Sequence, residues 1–406
     1  MIKRQSLEQS IFSLTDLATY IAFAGIAYKF FTAVRQHFSG STSDMRYDLL
    51  TFVMPLVLVA AVFLLLKDRK IPNSFFGWGI GFSIYAVLVT VINGGYAAFN
   101  LVFVIINMTY WLVIAYVMYR YKRKYPQKQW LVSLSAVLLV LCFLSFLLSV
   151  NTAGQDSYYE ERDLLSNSVY FLLFLLPMAM LVRKVWLRNV CVALIFVAAV
   201  ISNKRGALVV LVLSLLVWMF LQMRGKSGIQ KIGMLFLCVI VAGLLYALFN
   251  VLVTELELPI LERFQSFFEG NDTGSGRGEI WADTFAVLGK ENMVYTLLGR
   301  GYRAVSIFPT YSSLSESHND MLQVLFDYGV IGLLLLFGIY KSLIGMAVDM
   351  YKQNYRYATP FIVSLIVFLC CAMISQVLIY PYWFLGVALF WGYTMADFQN
   401  QREKVA

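Results

Sequence analysis

The chain has 406 residues, of which 60% are hydrophobic and 14% charged, and its mean hydropathy is +0.72. That balance excludes a water-soluble globular protein. The net charge of +9 does not make it a nucleic-acid binder either, because the cations fall in short clusters between apolar runs. Length therefore bounds the number of membrane spans, and a single polytopic membrane domain over 1–406 is expected.

The first ten residues, MIKRQSLEQS, are basic and lead into an apolar stretch without a small-x-small cleavage site, so they read as the flank of a retained first span. Apolar runs then predict about twelve spans, at 15–34, 49–66, 74–92, 97–119, 130–149, 168–182, 185–201, 206–223, 230–252, 329–346, 359–378 and 381–397. The sixth is short and contains Pro177, which predicts a kink or tilt, and the last two are joined by the tight turn LIYP. Cys142, Cys191, Cys238, Cys370 and Cys371 all lie in apolar runs, with neither metal-ligand nor disulfide spacing, and read as small hydrophobes. No internal repeat or low-complexity tract is present.

Orientation follows from lysine and arginine. Lys3 and Arg4, KDRK at 67–70, RYKRK at 120–124, Arg183, Lys184, Arg188, Arg224, Lys226, Lys231, Lys352, Arg356, Arg402 and Lys404 fall on one side under the twelve-span reading. Both termini are then expected to be cytoplasmic, with the alternate loops on the outer side. Three outer features stand out. The loop 151–168 is acidic and aromatic. The turn SNKRGA places Lys204 and Arg205 on the side that disfavours cations. The third is a long loop over 253–328, which holds Arg263, Arg277, Arg300, Arg303 and His318. Within it, EGNDTGSGRGE at 269–279 lacks P-loop spacing and reads as a connection. The following GEIWADTFAVLGKEN reads as an amphipathic helix with Ile280, Trp281, Phe285 and Leu288 on one face and Arg277 just before it.

The stretch SESHNDMLQVLFDYGVIG, from Ser315 to Gly332, carries one of the two histidines. Ser315 and Ser317 are good helix caps, and Met321, Leu322, Leu325 and Phe326 form an apolar face, so His318 is expected in the first turn of an outer-surface helix. Gly329 and Gly332 are placed for close packing at the membrane boundary. From the residues alone His318 is either a solvated interfacial histidine or a proton-transfer group. Arg205, Arg277, Arg300 and Arg303 likewise have two readings. One is a solvated or snorkelling cation, and the other is a planar fork for phosphate oxygens.

A metal-dependent site would use outer carboxylates such as Asp44 and Asp48, but the outer side has no Asp-x-Asp pair. No metal or cofactor is expected. The spans are nearly free of ionisable residues, with Lys29, Lys341 and Asp397 near span ends, which disfavours an ion-coupled transporter. The outer aromatics Tyr158, Tyr159, Trp281, Tyr302 and Tyr311 suit either sugar stacking or an interfacial belt.

HNDMLQVLFDYGVIG resembles the signature of the bacterial O-antigen ligase and O-antigen polymerase superfamily. There a His and an Asn, Ser or Arg precede nine residues, a Gly, two residues and a small residue or Tyr. Here these are His318, Asn319, Gly329 and Gly332. NKRGAL resembles the family's Arg-Gly at the outer start of a central span (Arg205). GSGRGEIW resembles its Arg before a Trp in the large outer loop (Arg277), and LLGRGYRA resembles its Gly-x-Gly stretch. The likeness covers about residues 200–335.

The resemblance implies an all-α integral membrane glycosyltransferase, similar to the GT-C class, with its active site at the periplasmic surface and no metal. Such enzymes move a glycan from an undecaprenyl-diphosphate-linked donor to an acceptor hydroxyl. The resemblance implies catalytic roles for His318, Arg205 and Arg277, and substrate-binding roles for Arg300, Arg303, Lys204, Asn319 and Glu316. The arginines would offset the charge of the departing diphosphate, and His318 would be either the general base or a diphosphate contact. The expected product is a polysaccharide chain grown on a second lipid-linked repeat. Transfer onto lipid A core is the alternative, and a flippase, which would need a polar cavity between related halves, is a weaker third. Membrane lipids and a chain-length regulator are the remaining implied partners.

Overall fold

A computed structural model of the chain describes residues 13–22, 24–25, 49–93, 101–128, 137–144, 146–147, 169–255, 260–269, 277–306, 317–378 and 384–405. The basic start, Asp44, Asp48, the acidic loop 151–168 with its two tyrosines, the glycine-rich 270–276, Tyr311, Ser315 and Glu316 lie outside them. All regular structure among the described residues is helical. In chain order come α1 (Leu49–Asp68), α2 (Ser74–Ile92), α3 (Leu101–Lys124), α4 (Val169–Ala179), α5 (Val185–Ile201), α6 (Arg205–Gln222) and α7 (Gly228–Glu255). The long loop forms the short helices α8 (Ile260–Phe268), α9 (Arg277–Lys290) and α10 (Met293–Leu298) and a 3₁₀ turn at Ala304–Ser306. The chain then continues through α11 (Asp320–Lys352), α12 (Ala358–Ile374) and α13 (Leu385–Val405).

Among the described residues, α2, α6 and α11 are long and apolar enough to cross a membrane, and α4, α5, α12 and the stretch Ala242–Glu255 are shorter apolar helices. Large apolar side chains such as Leu56, Phe63 and Leu66 on α1, Phe220 on α6 and Phe236 on α7 are exposed. Water would penalise that pattern and lipid does not, so the chain is a membrane protein. α4 is the opposite case. Its residues are buried almost without exception, and the helix stops at Ala179, two positions after Pro177, instead of kinking within a longer span.

α13 packs along α3, α11 along α2, and α12 along α6. The first pairing is close because Gly392 faces α3, where an added Cβ would lie 2.0 Å from the Ala115 carbonyl oxygen. Trp391 beside it meets Phe368 and Phe75 edge-on, at centroid distances of 5.1 and 5.9 Å, and its indole N–H donates to Ser364 Oγ at 2.8 Å. Cys142, Cys191, Cys370 and Cys371 are free thiols, as their setting in apolar runs predicts.

α11 is not one continuous helix. Gly329 has φ 63° and ψ −168°, and any side chain there would meet the Leu297 carbonyl oxygen at 2.4 Å. The glycine therefore breaks the chain into a short helix, 320–328, and a longer one from 330, and lets the 297–299 backbone press into the break. The expectation that Gly329 serves close packing holds, but its partner is a loop backbone, not another span.

Candidate active site

Three helix starts gather at the C-terminal end of α12. At the first, α6 begins at Arg205 after a tight turn in which Ser202 Oγ donates to Ala199 O at 2.8 Å and Asn203 takes φ 52°. A Cβ on Gly206 would lie 2.6 Å from Ile374, the last residue of α12, and 3.7 Å from the Tyr170 hydroxyl. At the second, α9 begins with Arg277, close enough for its charge to act on that same Tyr170 hydroxyl. At the third, α11 begins with Asp320, and its cap Asn319 donates from Nδ2 to Met373 O at 3.3 Å. A hydrogen bond joins the second start to the third, as Trp281 Nε1 of α9 donates to Ser317 O at 2.8 Å. Arg205, Arg277 and His318, far apart in sequence, thus share one neighbourhood.

His318 sits before the helix, not in its first turn. The N-cap is Asn319, whose Oδ1 accepts from Met321 N at 3.0 Å and Leu322 N at 3.1 Å. Ser317 cannot cap, because its hydroxyl is drawn to Asn319 O at 2.9 Å and lies against Gln323 Oε1 at 3.0 Å. His318 itself is half-exposed with φ 48°, a left-handed conformation that costs a non-glycine residue about 1–2 kcal/mol. The hydrogen bonds on both sides of it hold that conformation.

Beneath the histidine lies a buried polar network that the apolar-face reading of this helix misses. Asp320 is fully buried, and both its oxygens accept from Val377 N and Leu378 N at 3.0–3.2 Å. Gln376 Nε2 donates to Gln323 Oε1 at 2.8 Å, and Gln323 Nε2 donates to Asp327 Oδ2 at 2.9 Å. Helix 320–328 is therefore buried nearly all round, with Leu322 and Phe326 on one side and Asp320, Gln323 and Asp327, flanked by Val324, on another. The visible signal was the i, i+3, i+7 spacing of those three polar residues. Tyr170 and Gln376 carry no such signal, since nothing local marks which end of which helix they will face.

The remaining candidates fall further along the loop. Arg300 pairs with Glu291, lies 4.3 Å over the Tyr295 ring, and donates its backbone N–H to Asp327 O at 2.9 Å. Arg303, at φ 56°, donates its backbone N–H to Asp327 Oδ2 at 3.0 Å. These bonds lock the 299–303 stretch against helix 320–328. Lys204 is the N-cap of α6 and contributes no side-chain cap. Arg277 is the first residue of α9 and does not precede it. On α9 the inward face is Ile280 and Thr284, with Val287 and Leu288 packed on Ala304, Val305 and Phe326. Phe285, expected on that face, is exposed, because the docked surface follows i, i+4, i+8 from residue 280. Tyr302 is buried, with its hydroxyl accepting from Asn107 Nδ2 at 3.1 Å, so it ties the loop to α3 and is not a sugar platform.

Chemically, the arrangement presents arginines at two helix N-termini and a histidine just ahead of a third. The partial positive charge of those helix ends favours an anion in the space they border. No curated protein matches the chain. Residues 190–337, which contain all three helix starts, match the family model described as O-Antigen ligase. Over that segment the chain is similar to the O-antigen ligase family.

Proposed function

We propose that this protein is an inner-membrane glycosyltransferase that lengthens a polysaccharide. It transfers glycan from undecaprenyl diphosphate to a hydroxyl of a second lipid-linked repeat, at the periplasmic face. In this reading both termini are cytoplasmic, the chain is one polytopic domain of about twelve spans resembling the GT-C class, and residues 253–328 form the outer loop that carries the site. The observation that supports it is the convergence of Arg205, Arg277 and His318 at the end of α12.

The chemistry suits these groups. Breaking the bond between sugar and phosphate leaves negative charge on the diphosphate. Arg205 and Arg277, reinforced by two helix N-termini, are set to stabilise it without a metal. The acceptor hydroxyl loses its proton as it attacks the sugar carbon, and His318 takes that proton as general base. Arg300, Arg303 and Lys204 act in binding the donor. Asn319 works through its cap, which sets the backbone of His318, and Glu316 is assigned to substrate binding.

The description of the matching family model favours a second reading, in which the acceptor is lipid A core. Purified protein given undecaprenyl-diphosphate-linked glycan and EDTA separates the two. Longer lipid-linked chains without core, abolished in His318→Ala, are the expected result. Growth only after core acceptor is added would make the enzyme a ligase. Undiminished activity in His318→Ala would overturn the assignment of the site.

A further inference from the structure

α2 crosses from Asn73, level with the end of α1, to Thr90, which accepts from the Tyr302 backbone of the outer loop at 3.0 Å. At about 1.5 Å per residue, this separates the two ends by roughly 26 Å. At the end away from His318, α3, the end of α1 with the turn after it, Thr15 and Gln399 of α13 line an open cavity of about 580 Å³. That is within the range of small-molecule sites, about 300–1,000 Å³. Its charged lining is Lys70, Arg120, Arg123, Lys124 and Asp68.

The charges do not cancel. Arg120 pairs with Asp68, Arg123 with Glu403 at 2.9 Å, and Lys124 with Asp16 at 2.9 Å. Four cations against three carboxylates leave one positive charge, and Lys70 makes no ion pair among the described residues. A single uncompensated cation matches a monoanion. A nucleoside triphosphate would meet three carboxylates already seated on the arginines and Lys124. The surroundings are apolar. Ile71 is in the lining, Phe63 and Leu66 are exposed on α1 just before it, and Leu17 and Tyr20 are exposed on the flanking segment. A free phosphate gains nothing from such a rim, whereas a lipid lays its chains along it.

We propose that this cavity binds the phosphodiester headgroup of an anionic glycerophospholipid, with Lys70 as its cation and the exposed face of α1 along its acyl chains. The bound lipid ties the ends of α1, α3 and α13 together on the face opposite the Arg205–His318 neighbourhood. The proposal is independent of what reaction that neighbourhood performs.

The test is thermal unfolding of the full chain in neutral detergent, titrated with phosphatidylglycerol, phosphatidylcholine or inorganic phosphate. Phosphatidylglycerol is expected to raise the midpoint by about 3 °C or more in the wild type and in Lys67→Glu, an exposed charge reversal outside the lining. The rise should vanish in Lys70→Glu, or in Lys70→Gln if the reversal yields no folded protein. Phosphatidylcholine and phosphate should leave the midpoint unmoved. An equal rise with phosphatidylcholine, a rise with phosphate alone, or a phosphatidylglycerol response that survives both Lys70 variants would overturn it.

Discussion

Two buried polar clusters stand at opposite ends of the helices, and they handle charge in different ways. At the basic end, Lys122 is 1% exposed and pairs with Asp397 at 3.0 Å, while Arg356 and the Tyr355 hydroxyl reach the same carboxylate at 2.8 Å each. Lys122 also donates to the carbonyls of Pro126 at 2.6 Å and Lys128 at 3.1 Å. Burial pulls the Lys122 ammonium below the usual lysine range, and the Asp397 carboxylate pulls it back. At the opposite end, Asp320 and Asp327 are as deeply buried, yet no cation pairs with either among the described residues, and amide N–H groups hold them instead. The first cluster is a closed ion-pair staple between α3, α13 and the turn before α12. The second fixes backbone with neutral dipoles, so its carboxylates do not lock the arginines of the neighbouring helix starts into ion pairs. The first spends its charges on one another, whereas the second spends its carboxylates on backbone and side-chain amides.

The sharpest way to break this contrast is at the basic end. Asp397→Leu strands the buried Lys122 ammonium and should cost about 3–5 kcal/mol, seen as a large fall in the thermal midpoint. Adding Lys122→Met should recover most of it, since an apolar pair needs no desolvation. A double variant as unstable as the single one would mean that the carbonyl contacts, not the pairing, hold this end.

Arg205→Ala tests the opposite end and should move activity, not stability. Transfer should drop by about a hundred- to a thousandfold, the scale for removing one donor to a developing oxyanion, with the midpoint nearly unchanged. Arg205→Lys should recover only part, because an ammonium lacks the planar fork.

Asp320→Ala should do both. It leaves two buried N–H groups, of Val377 and Leu378, without an acceptor, at about 1–3 kcal/mol each. It also frees the segment that clamps the start of α11. Asp320→Asn keeps one acceptor oxygen and should lose less on both measures. The smallest effect belongs to Trp281→Phe, which removes the bond to Ser317 O and keeps the ring. Loss of about 1 kcal/mol in that contact should lower transfer about three- to tenfold, with little change in the midpoint. If Trp281→Phe were as active as wild type, the link between α9 and the histidine turn would be packing alone.

Much of the architecture was legible from hydropathy because a span must be apolar over its whole length, a local property. The expected spans at 74–92, 185–201 and 206–223 fall on α2, α5 and α6 within a residue or so. The site was legible as residue types, through the resemblance around Arg205, Arg277 and His318. It was not legible as geometry. Ser317 looks like a good cap by composition, yet Asn319 takes the role because Gln323 and Gln376 claim the Ser317 hydroxyl. Phe285 looks inward on a helical wheel, but the surface that α9 meets is offset by one residue.

The amino-acid order by itself determined that this is a helical membrane protein, and which histidine and arginines carry the family likeness. Only the tertiary structure decided that His318 stands in a left-handed turn ahead of its helix, that Gly329 breaks α11 against Leu297, and that three helix starts gather near the C-terminal end of α12. The reason is physical. Apolar length and charge bias act on each segment separately and leave a periodic trace. Caps, clamps and close approaches depend on partners dozens of residues away, such as Gln376 and Val377 for the turn at 317–323, and those leave no local pattern.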